Sequence, residues 1–347
     1  MPVSIVIGGQ FGSEGKGKIA LEIVKRSAEP VTVVRVGGPN SGHTAYSKRR
    51  DRHSLRQLPA ACIDGNVDVV LPSGSFIDVD IFFKEIEQVG ISRDRISVSE
   101  NARVILPAHR DWERNACLTS SIGSTGSGVG AALMATVARG AKQFGLPCSL
   151  AKDEAKLAKF IRDVPRQLRN AVEKKQRIVV EGTQGFGLSL LDSEYWPKTT
   201  SRLTTAAGAL SECGLSPLDV DDITMVIRSC PIRVSGNSGP LANETTWAEI
   251  SRLSGKSEEI REFTTATKRL RRVGKFDPKI VLQALDVNKP TRLVMNHLDY
   301  IGPESDLEIP SSAVRNFITR IEEGIGRSID WLGFSPFGII EKKRRME

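Results

Sequence analysis

The chain has 347 residues, 26% of them charged, and a formal net charge of +8 at pH 7. This length suffices to bury a substantial core, and the ordinary charged fraction excludes a fibrous or wholly disordered chain. No apolar run is long enough to span a bilayer, and residues 1–4 do not open a secretory signal. The five cysteines are scattered without CxxC spacing, which argues against a disulfide framework or a zinc site and predicts a cytoplasmic protein.

Short β-branched runs alternate with helical segments along the chain. Strands are predicted at 3–7, 31–36, 67–71, 95–99, 177–181, 223–227 and 292–296. Helices are predicted at 16–26 and at about 78–88, and helical, charged sequence dominates 153–175. The alternation predicts an α/β fold with a mainly parallel sheet covered by helices on both faces. We expect one domain over residues 1–347, with a helical insertion at about 100–175.

The first predicted strand leads into a glycine-rich loop, residues 8–18. Glycines let backbone N–H groups turn toward an anion, and the helix that follows adds the positive end of its dipole. Lys16 lies where it could reach a terminal phosphate. The order of residues is neither a Walker A loop nor a GxGxxG fingerprint. The pattern therefore predicts a phosphate-binding loop, with a tight strand-to-helix turn as the alternative.

Three more polar, glycine-rich segments, 37–44, 123–130 and 181–185, are each expected to follow a strand. Ligands bind at the carboxyl ends of the strands in parallel sheets, so the segments should converge on one crevice. His43 in the second segment is placed for acid or electrostatic work. The third segment is either an anion-binding nest or a flexible connection. Basic clusters at 48–50 and 268–272 suit polyanionic small molecules or nucleic acid.

Together and in this order, the loops resemble the motifs of the adenylosuccinate synthetase family. The matching segments are 9–18, 38–44, 123–130, 181–185, 200–208, 264–272 and 296–299. The resemblance implies a P-loop-NTPase-like fold with helical insertions and a two-step ligase reaction. In that reaction the purine O6 is phosphorylated, and the amine of L-aspartate then displaces phosphate at C6. It also implies Mg²⁺ as a cofactor and a homodimer.

The resemblance assigns roles residue by residue. The implied catalytic residues are Ser13, Lys16 and His43. The implied triphosphate site comprises Gly12, Ser13, Glu14, Gly15, Lys16, Gly17, Gly42, His43, Thr44, Asn296, His297, Asp299, Ser335 and Pro336. The implied nucleoside-monophosphate site comprises Asn40, Ser124, Thr125, Gln184, Thr200, Val234, Arg269 and, from the neighbouring subunit, Arg139. The implied aspartate site comprises Thr265, Thr267, Arg269 and Arg271, and the implied Mg²⁺ ligands are Ser13 and Gly42.

Ser13 departs from the family, which has an aspartate that takes the N1 proton of IMP. A serine hydroxyl is too weakly acidic to act as a comparable base. It is shorter, however, and leaves room beside N1 for the 2-amino group of guanine. We therefore expect dGMP as the substrate and N6-succino-2-amino-2′-deoxyadenylate as the product, as in a viral branch of the family. An inactive paralogue and an ordinary synthetase acting on IMP are the alternatives, and Glu14, water or a phosphate oxygen could take the proton.

The triphosphate site departs from the family as well. His297 replaces a lysine, and Ser335-Pro336-Phe337-Gly338 replaces Gly-Pro-Asp-Arg, which favours ATP or dATP over GTP. Segment 264–272 corresponds to the loop that binds aspartate in the family, here called the aspartate loop. In it, Ala266 and Lys268 replace a threonine and a glycine. The expected partners are dGMP, L-aspartate, the triphosphate and a second copy of the chain, with no membrane and no stable nucleic-acid partner. If the chain is viral, its compartment is the host cytoplasm.

Overall fold

The computed structural model describes residues 2–28, 30–64, 66–264, 268–302 and 310–342. Over these ranges a ten-stranded sheet forms the centre, in the order β17-β16-β15-β11-β1-β10-β2-β5-β7-β9. Neighbouring strands are parallel except β16 and β17, which form an antiparallel hairpin. The predicted α/β class with a mainly parallel sheet is confirmed.

The bounds of the elements follow the chain. The helices are α1 Lys16–Lys25, α2 Val79–Val89, α3 Pro107–Asn115, α4 Leu118–Ile122, α5 Val129–Val137, α6 Val164–Glu173, α7 Ala206–Cys213, α8 Trp247–Ser254, α9 Pro278–Asn288 and α10 Ser312–Ile325. The strands of the main sheet are β1 Val3–Gly8, β2 Val31–Arg35, β5 Val67–Leu71, β7 Ile96–Ser99, β9 Ile161–Arg162, β10 Arg177–Glu181, β11 Val220–Arg228, β15 Arg292–Asn296, β16 Trp331–Ser335 and β17 Gly338–Glu341. The remaining strands are β3 His43–Tyr46, β4 Arg52–Leu55, β6 Phe76–Ile77, β8 Arg103–Val104, β12 Ile232–Arg233, β13 Glu244–Thr245 and β14 Arg272–Gly274.

β1 lies between β10 and β11 and is buried on both faces. Successive side chains of a strand point to opposite faces, so β1 contributes to two separate cores. Ile5 and Ile7 join the core that α6, α7, α9 and α10 cover, and Val6 joins the core beneath α1 and α2. This double coverage explains why the central strands are continuous apolar runs without polar alternation.

The helical segment predicted at 153–175 is wrong over its first half. Two short 3-10 turns, Ala151–Asp153 and Ala155–Phe160, are followed by strand β9, and only α6 is a regular α-helix. Phe160 is buried beside Phe82, with ring centroids 5.0 Å apart, which anchors the segment to α2. Asp163 caps α6 by accepting a hydrogen bond from the Arg166 backbone N–H, so the helix begins there.

The third glycine-rich segment does not follow a strand as expected. Residues 123–130 connect α4 to α5. The sheet nevertheless draws strands from residue 3 to residue 341, which supports our proposal of a single domain with an insertion at about 100–175. None of the helices in the described ranges combines the length and apolar character that crossing a bilayer requires.

The loops after β1 and β10 touch because these strands are neighbours. Gly185 follows β10, and a Cβ atom there would lie 2.6 Å from the Gly12 backbone nitrogen and 2.7 Å from the Gln10 carbonyl oxygen. The Gly187 backbone N–H donates to the same Gln10 carbonyl at 2.7 Å. The absence of a side chain at Gly185 therefore lets the two loops close on each other.

Leu168→Ala should lower the free energy of unfolding by about 2–5 kcal/mol. Leu168 is fully buried where α6 packs on the sheet, so its truncation leaves a cavity. Chemical denaturation measures the change. Leu282→Ala on α9 is the matched control, because Leu282 is 39% exposed and should cost less than about 1 kcal/mol. Equal losses in the two variants would contradict the assigned core.

Gly185→Ala should abolish most enzymatic activity while the protein stays folded. The added methyl group meets backbone atoms of the loop after β1, so that loop must shift. Steady-state activity and near-UV circular dichroism, measured together, test this expectation. Gly324→Ala is the control, since a Cβ at Gly324 in α10 meets nothing within 4 Å and should leave activity unchanged. Full activity in Gly185→Ala would show that the close approach of the loops is dispensable.

Candidate active site

A buried carboxylate shapes the loop between β1 and α1. Glu14 Oε1 accepts hydrogen bonds from the backbone N–H groups of Gln10, at 3.2 Å, and Gly12, at 2.7 Å. Glu14 Oε2 forms an ion pair with Lys16 Nζ at 2.8 Å. Gly15 has φ +94°, a conformation that favours glycine, and α1 begins at the next residue. Glu14 therefore organises the loop from within, and its carboxylate is fully engaged.

Lys16 is buried at the base of the loop and also donates to the Gln184 carbonyl oxygen. Both Lys16 and Gln184 line the cleft described below. The ion pair with Glu14 holds the ammonium in place before a ligand arrives. The predicted position of Lys16 beside a phosphate is consistent with this geometry.

His43 begins β3 and is held by a buried acid at the end of β10. Its Nδ1 donates to Glu181 Oε1 at 2.5 Å, and Arg35 Nη1 lies 2.8 Å from Nδ1 and 3.2 Å from Nε2. Burial, reinforced by Arg35, lowers the pKa of His43 to about 3, although Glu181 acts in the opposite direction. Burial alone would raise the pKa of Glu181, but His43 and Arg35 outweigh it and hold that pKa below its ordinary value. His43 is therefore a neutral imidazole with a fixed orientation at pH 7.

The second loop, residues 37–44, is tied to the end of β2. Arg35 Nη2 donates to the Ser41 carbonyl at 3.1 Å and to the Ser41 hydroxyl at 3.0 Å. Asn40 Nδ2 lies 3.4 Å from Thr200 Oγ1, and Asn40 Oδ1 is buried without a hydrogen-bond partner among the described residues. A buried acceptor that lacks a donor is costly, so Asn40 has the position and the need to bind a polar ligand group.

An internal carboxylate already occupies the helix N-terminus in the third loop. Glu113 on α3 accepts from the backbone N–H groups of Gly128, at 2.8 Å, and Gly130, at 2.9 Å. The predicted anion-binding nest is therefore satisfied at the start of α5. The hydroxyl-bearing residues of this loop that line the cleft are Ser124, Thr125 and Ser127. Thr125 Oγ1 lies 2.8 Å from the Ser127 hydroxyl, which orients it.

Ser13 lies at the point where the phosphate loop meets two arginines. It has φ +58°, and its hydroxyl accepts a hydrogen bond from Arg271 Nη1. Arg228 Nη1 donates to the Ser13 carbonyl at 3.1 Å. Glu262 pairs with Arg228, and the Tyr300 hydroxyl donates to Glu262 at 2.9 Å. Ser13 thus faces the cleft with its backbone and hydroxyl both held by guanidinium groups.

The aspartate loop is anchored at both of its described ends. The Arg269 backbone N–H donates to the Thr264 hydroxyl at 3.0 Å, and the Thr264 N–H donates to the Arg269 carbonyl at 2.9 Å. Arg269 and Arg271 both line the cleft. The predicted aspartate ligands Thr265 and Thr267, together with Ala266, lie outside the described residues.

One cleft, of about 230 Å³, collects most of the predicted site. Its lining includes predicted residues from all four glycine-rich loops and from the aspartate loop. They are Gly12, Ser13, Lys16, Asn40, Gly42, His43, Ser124, Thr125, Gln184, Thr200, Val234, Arg269 and Arg271. The convergence expected from strand ends is thus observed, and the phosphate loop forms one wall.

The predicted triphosphate residues outside this lining lie behind the phosphate loop. Gly17 packs against Ala60 and His43, with a Cβ placed 2.6 Å from the Ala60 Cβ. Thr44 Oγ1 donates to the Ser54 hydroxyl across the β3–β4 hairpin at 3.3 Å. Asn296 Nδ2 donates to the Glu14 carbonyl at 2.7 Å, which joins the end of β15 to the loop.

The ends of β15 and β16 carry a small charged group. Asp299 Oδ2 accepts from Lys256 Nζ at 2.5 Å. Lys18 Nζ donates to the Ser335 carbonyl at 2.8 Å, and burial lowers the pKa of Lys18 to about 8, against the effect of Asp299. Burial, and then the charge of Arg228, lower the pKa of His297 to about 3, so the ring is uncharged at neutral pH. Pro336 is exposed in the turn between β16 and β17.

Arg139 does not reach the cleft of its own subunit. It follows α5 in a left-handed conformation, φ +54°, and is exposed. Val137 and Phe144 on either side are exposed as well, at 69% and 43%. The position agrees with the implied role of Arg139 in a neighbouring subunit, which stays a prediction.

Sequence reasoning missed several residues of the site. Glu113 and Lys198 line the cleft, and Arg35 and Glu181 orient His43. Arg35 and Glu181 each end a predicted strand, so charged residues at strand ends were an available signal. Lys198 lies two residues before Thr200, and the sequence motifs gave it no role.

Comparisons with known proteins show which family the chain belongs to. A sequence model of the family described as adenylosuccinate synthetase matches residues 5–148 and 148–310. The adenylosuccinate synthetase of Thermococcus sibiricus is 34% identical over 97% of this chain and 96% of its own length. That of Archaeoglobus fulgidus is 32% identical over 97% of this chain and 96% of its own length.

Two solved structures share the fold. The fully ligated adenylosuccinate synthetase of Plasmodium falciparum superimposes with a TM-score of 0.84 at 21% identity, covering 99% of this chain and 100% of that one. The succinoaminodeoxyadenylate synthetase of cyanophage S-2L, bound to dGMP and to dATP as an energy donor, gives a TM-score of 0.79 at 27% identity, covering 98% and 95%. Adenylosuccinate synthetases use Mg²⁺ and a nucleoside triphosphate. The chain belongs to the adenylosuccinate synthetase family and is a ligase that forms a C–N bond between a purine nucleotide and aspartate.

Proposed function

We propose that the enzyme joins L-aspartate to C6 of dGMP, with hydrolysis of a nucleoside triphosphate, to give N6-succino-2-amino-2′-deoxyadenylate. The observation that carries the proposal is the neutral side chain of Ser13 in the wall of the cleft. The similar cyanophage S-2L protein binds dGMP, which supports the same substrate here. The alternative is activity on IMP, favoured by the archaeal relatives, which carry the name adenylosuccinate synthetase.

Serine suits guanine at this position for reasons of size and hydrogen bonding. A hydroxyl has two lone pairs, and Arg271 uses one of them. The second can accept an N–H bond from a 2-amino group, which hypoxanthine lacks. Arg271 is also an implied aspartate ligand, and its contact with Ser13 would bring the amino acid beside the base edge that it must attack.

The proton on N1 of the base must leave when O6 is phosphorylated. Glu14 is a poor candidate to take it, because its carboxylate already accepts from two backbone N–H groups and Lys16. Ser13 is too weak a base. A water molecule or an oxygen of the donor phosphate therefore takes the proton in our proposal, and Arg271 beside Ser13 stabilises the charge that develops.

Phosphoryl transfer to O6 requires that charge on the moving group be neutralised. Lys16 and His43 line the same cleft wall, where a γ-phosphate would pass between the donor and the base. His43 is neutral and its Nδ1 donates to Glu181, so in our proposal Nε2 takes up a proton as the anionic phosphate arrives and then donates to a phosphate oxygen. Aspartate, held by Arg269 and Arg271, then displaces the phosphate at C6. Its ammonium group loses one proton to solvent before the attack and a second after it, and the product keeps one N–H.

Mg²⁺ fits the cleft as a phosphate-bound ion. Across the described ranges there is no group of three or more His, Cys, Asp or Glu side chains that could hold a metal alone. Mg²⁺ in phosphoryl-transfer sites commonly takes one or two protein oxygens and completes its shell with phosphate and water. The Gly42 carbonyl would supply one oxygen, whereas Ser13 could do so only through the lone pair that Arg271 leaves free, which our proposal assigns to the 2-amino group. When bound, the ion neutralises charge on the transferring phosphate.

The assembly is a homodimer in this proposal, with Arg139 reaching the substrate phosphate of the partner subunit. The exposed position of Arg139, beside exposed Val137 and Phe144, supports it. The five cysteines are free thiols, which fits the reducing cytoplasm, including that of a host cell.

Purified enzyme with L-aspartate, ATP and Mg²⁺ should release phosphate with dGMP and form the succinylated nucleotide, detectable by mass spectrometry. IMP should react at least about tenfold less efficiently, because its base leaves the second lone pair of Ser13 unpaired. Turnover of IMP with none of dGMP would refute the proposed substrate.

Ser13→Asp should move the ratio of kcat/KM for dGMP and IMP toward IMP by about tenfold or more. The longer, charged side chain fills the space beside N1 and restores a base. Ser13→Asn is the matched control, because it adds the same bulk without a base. If Asn behaves as Asp, bulk sets the selectivity; an unchanged ratio in both variants would show that Ser13 does not select the substrate.

ATP or dATP is the proposed donor rather than GTP. The edge of guanine calls for a free carboxylate, but the Asp299 carboxylate is held by Lys256 at 2.5 Å and His297 is uncharged. The cyanophage S-2L protein binds dATP as energy donor, which supports the same class here. We expect kcat/KM for ATP to exceed that for GTP by about tenfold, measured with saturating dGMP and aspartate. Equal or better use of GTP would contradict this assignment.

A further inference from the structure

Lys198 lies in the cleft on the loop that also carries Thr200. Residues 198–201 all line the cavity, opposite the third glycine-rich loop. The backbone of Lys198 is fixed on both sides, since its N–H donates to the Tyr195 carbonyl at 2.7 Å and its carbonyl accepts from Arg233 Nη2 at 2.8 Å. A lysine on a backbone held in this way presents its ammonium at a defined place.

The ammonium of Lys198 contacts a neutral group. It donates to the backbone carbonyl of Ser121, at the end of α4, which also accepts from Asn237 Nδ2 at 2.9 Å. Over the part of the chain that the structure describes, no acidic side chain forms an ion pair with Lys198. An ammonium has three N–H donors, so two remain for a ligand.

Three of the other cations in the lining of the cleft, Lys16, Arg233 and Arg271, are engaged with groups of the protein. Lys16 is paired with Glu14, and Arg271 with the Ser13 hydroxyl. Arg233 is stacked on Phe11, with its guanidinium carbon 4.6 Å from the ring centroid, and donates to backbone carbonyls. Arg269 is the remaining cation of the lining. It lies in the aspartate loop, and the resemblance implies that it contacts both the monophosphate and the aspartate.

Apart from Arg269, which is also an implied aspartate ligand, the groups predicted to bind the monophosphate within one subunit are neutral. Asn40, Thr125 and Thr200 offer amide and hydroxyl donors only. Glu113, an acid in the same lining, is neutralised locally by the backbone N–H groups at the start of α5. A phosphate dianion taken from water into this cleft needs a positive charge nearby.

We infer that Lys198 binds the 5′-phosphate of the purine nucleotide, as a cation supplied by the same subunit that holds the base. The inference rests on the proposed function only in that the enzyme must bind a purine 5′-monophosphate, whether dGMP or IMP. The Ser121 carbonyl holds the ammonium near the third loop until the phosphate arrives, and the phosphate then joins Lys198 to Thr125 and Thr200.

Isothermal titration of the purified enzyme tests this role. Lys198→Met should weaken the binding of dGMP, and of IMP where the wild type binds it, by about tenfold or more, as expected for a lost charge-assisted hydrogen bond. Lys198→Arg should recover much of the affinity. The inhibition constants of deoxyguanosine and inosine, which lack the phosphate, should stay unchanged, and KM for aspartate should not rise.

Lys84→Met is the control, because Lys84 is exposed on α2 and does not line the cleft. This variant should bind both nucleotides as the wild type does. Equal weakening of nucleotide and nucleoside in Lys198→Met would overturn the inference, since it would indicate a distorted cleft. Unchanged affinity for the nucleotides would overturn it as well. A wild type that binds IMP and not dGMP would refute the proposed substrate and leave this test intact, because IMP then serves as the ligand.

Discussion

The architecture of the site depends on one buried carboxylate, that of Glu14. A charge removed from water is destabilising unless it is fully paired, and here two backbone N–H groups and the Lys16 ammonium pair it. The same residue accepts from Asn296 through its carbonyl, and Gly185 leaves room for the loop that it shapes. The ends of β1, β10 and β15 are therefore held together around Glu14, and these contacts set the shape of the cleft.

Ser13, the residue before Glu14, is the residue that selects the substrate in our proposal. Ser13 is neutral, so Arg271 donates to a hydroxyl there and is not drawn into an ion pair with the loop. An arginine that is held by a neutral group keeps its charge available for a carboxylate or an oxyanion. Arg228, by contrast, is neutralised by Glu262 and acts as a brace for the Ser13 backbone. The two arginines have different roles because, among the residues that the structure describes, only Arg228 forms an ion pair with a carboxylate.

Local patterns in the sequence predicted the strands of the sheet and the loops that follow them, because β-branched runs and glycines act over a few residues. The prediction failed where distant contacts decide the structure. Phe160 lies in a segment with a helical sequence pattern, but it packs beside Phe82 and the segment is not a regular helix. Glu113 binds the N-terminus of α5, which the loop sequence alone predicts as a site for an external anion. The orientation of His43 depends on Glu181, 138 residues away in sequence, a distance that no local pattern covers.

Some of the basic residues serve to bind the anionic ligands of the cleft. The ligands of the enzyme are a nucleoside monophosphate, a nucleoside triphosphate and a dicarboxylic amino acid, all of which are anions. Bringing them into one cleft creates mutual repulsion that the protein must offset with cations already in position. Lys16 is positioned by an acid, Arg271 by a hydroxyl and Lys198 by a carbonyl. A cation held by a neutral group gives up less to bind an anion than one released from an ion pair, so Arg271 and Lys198 can turn to a ligand, whereas Lys16 acts on a phosphate while it stays paired with Glu14.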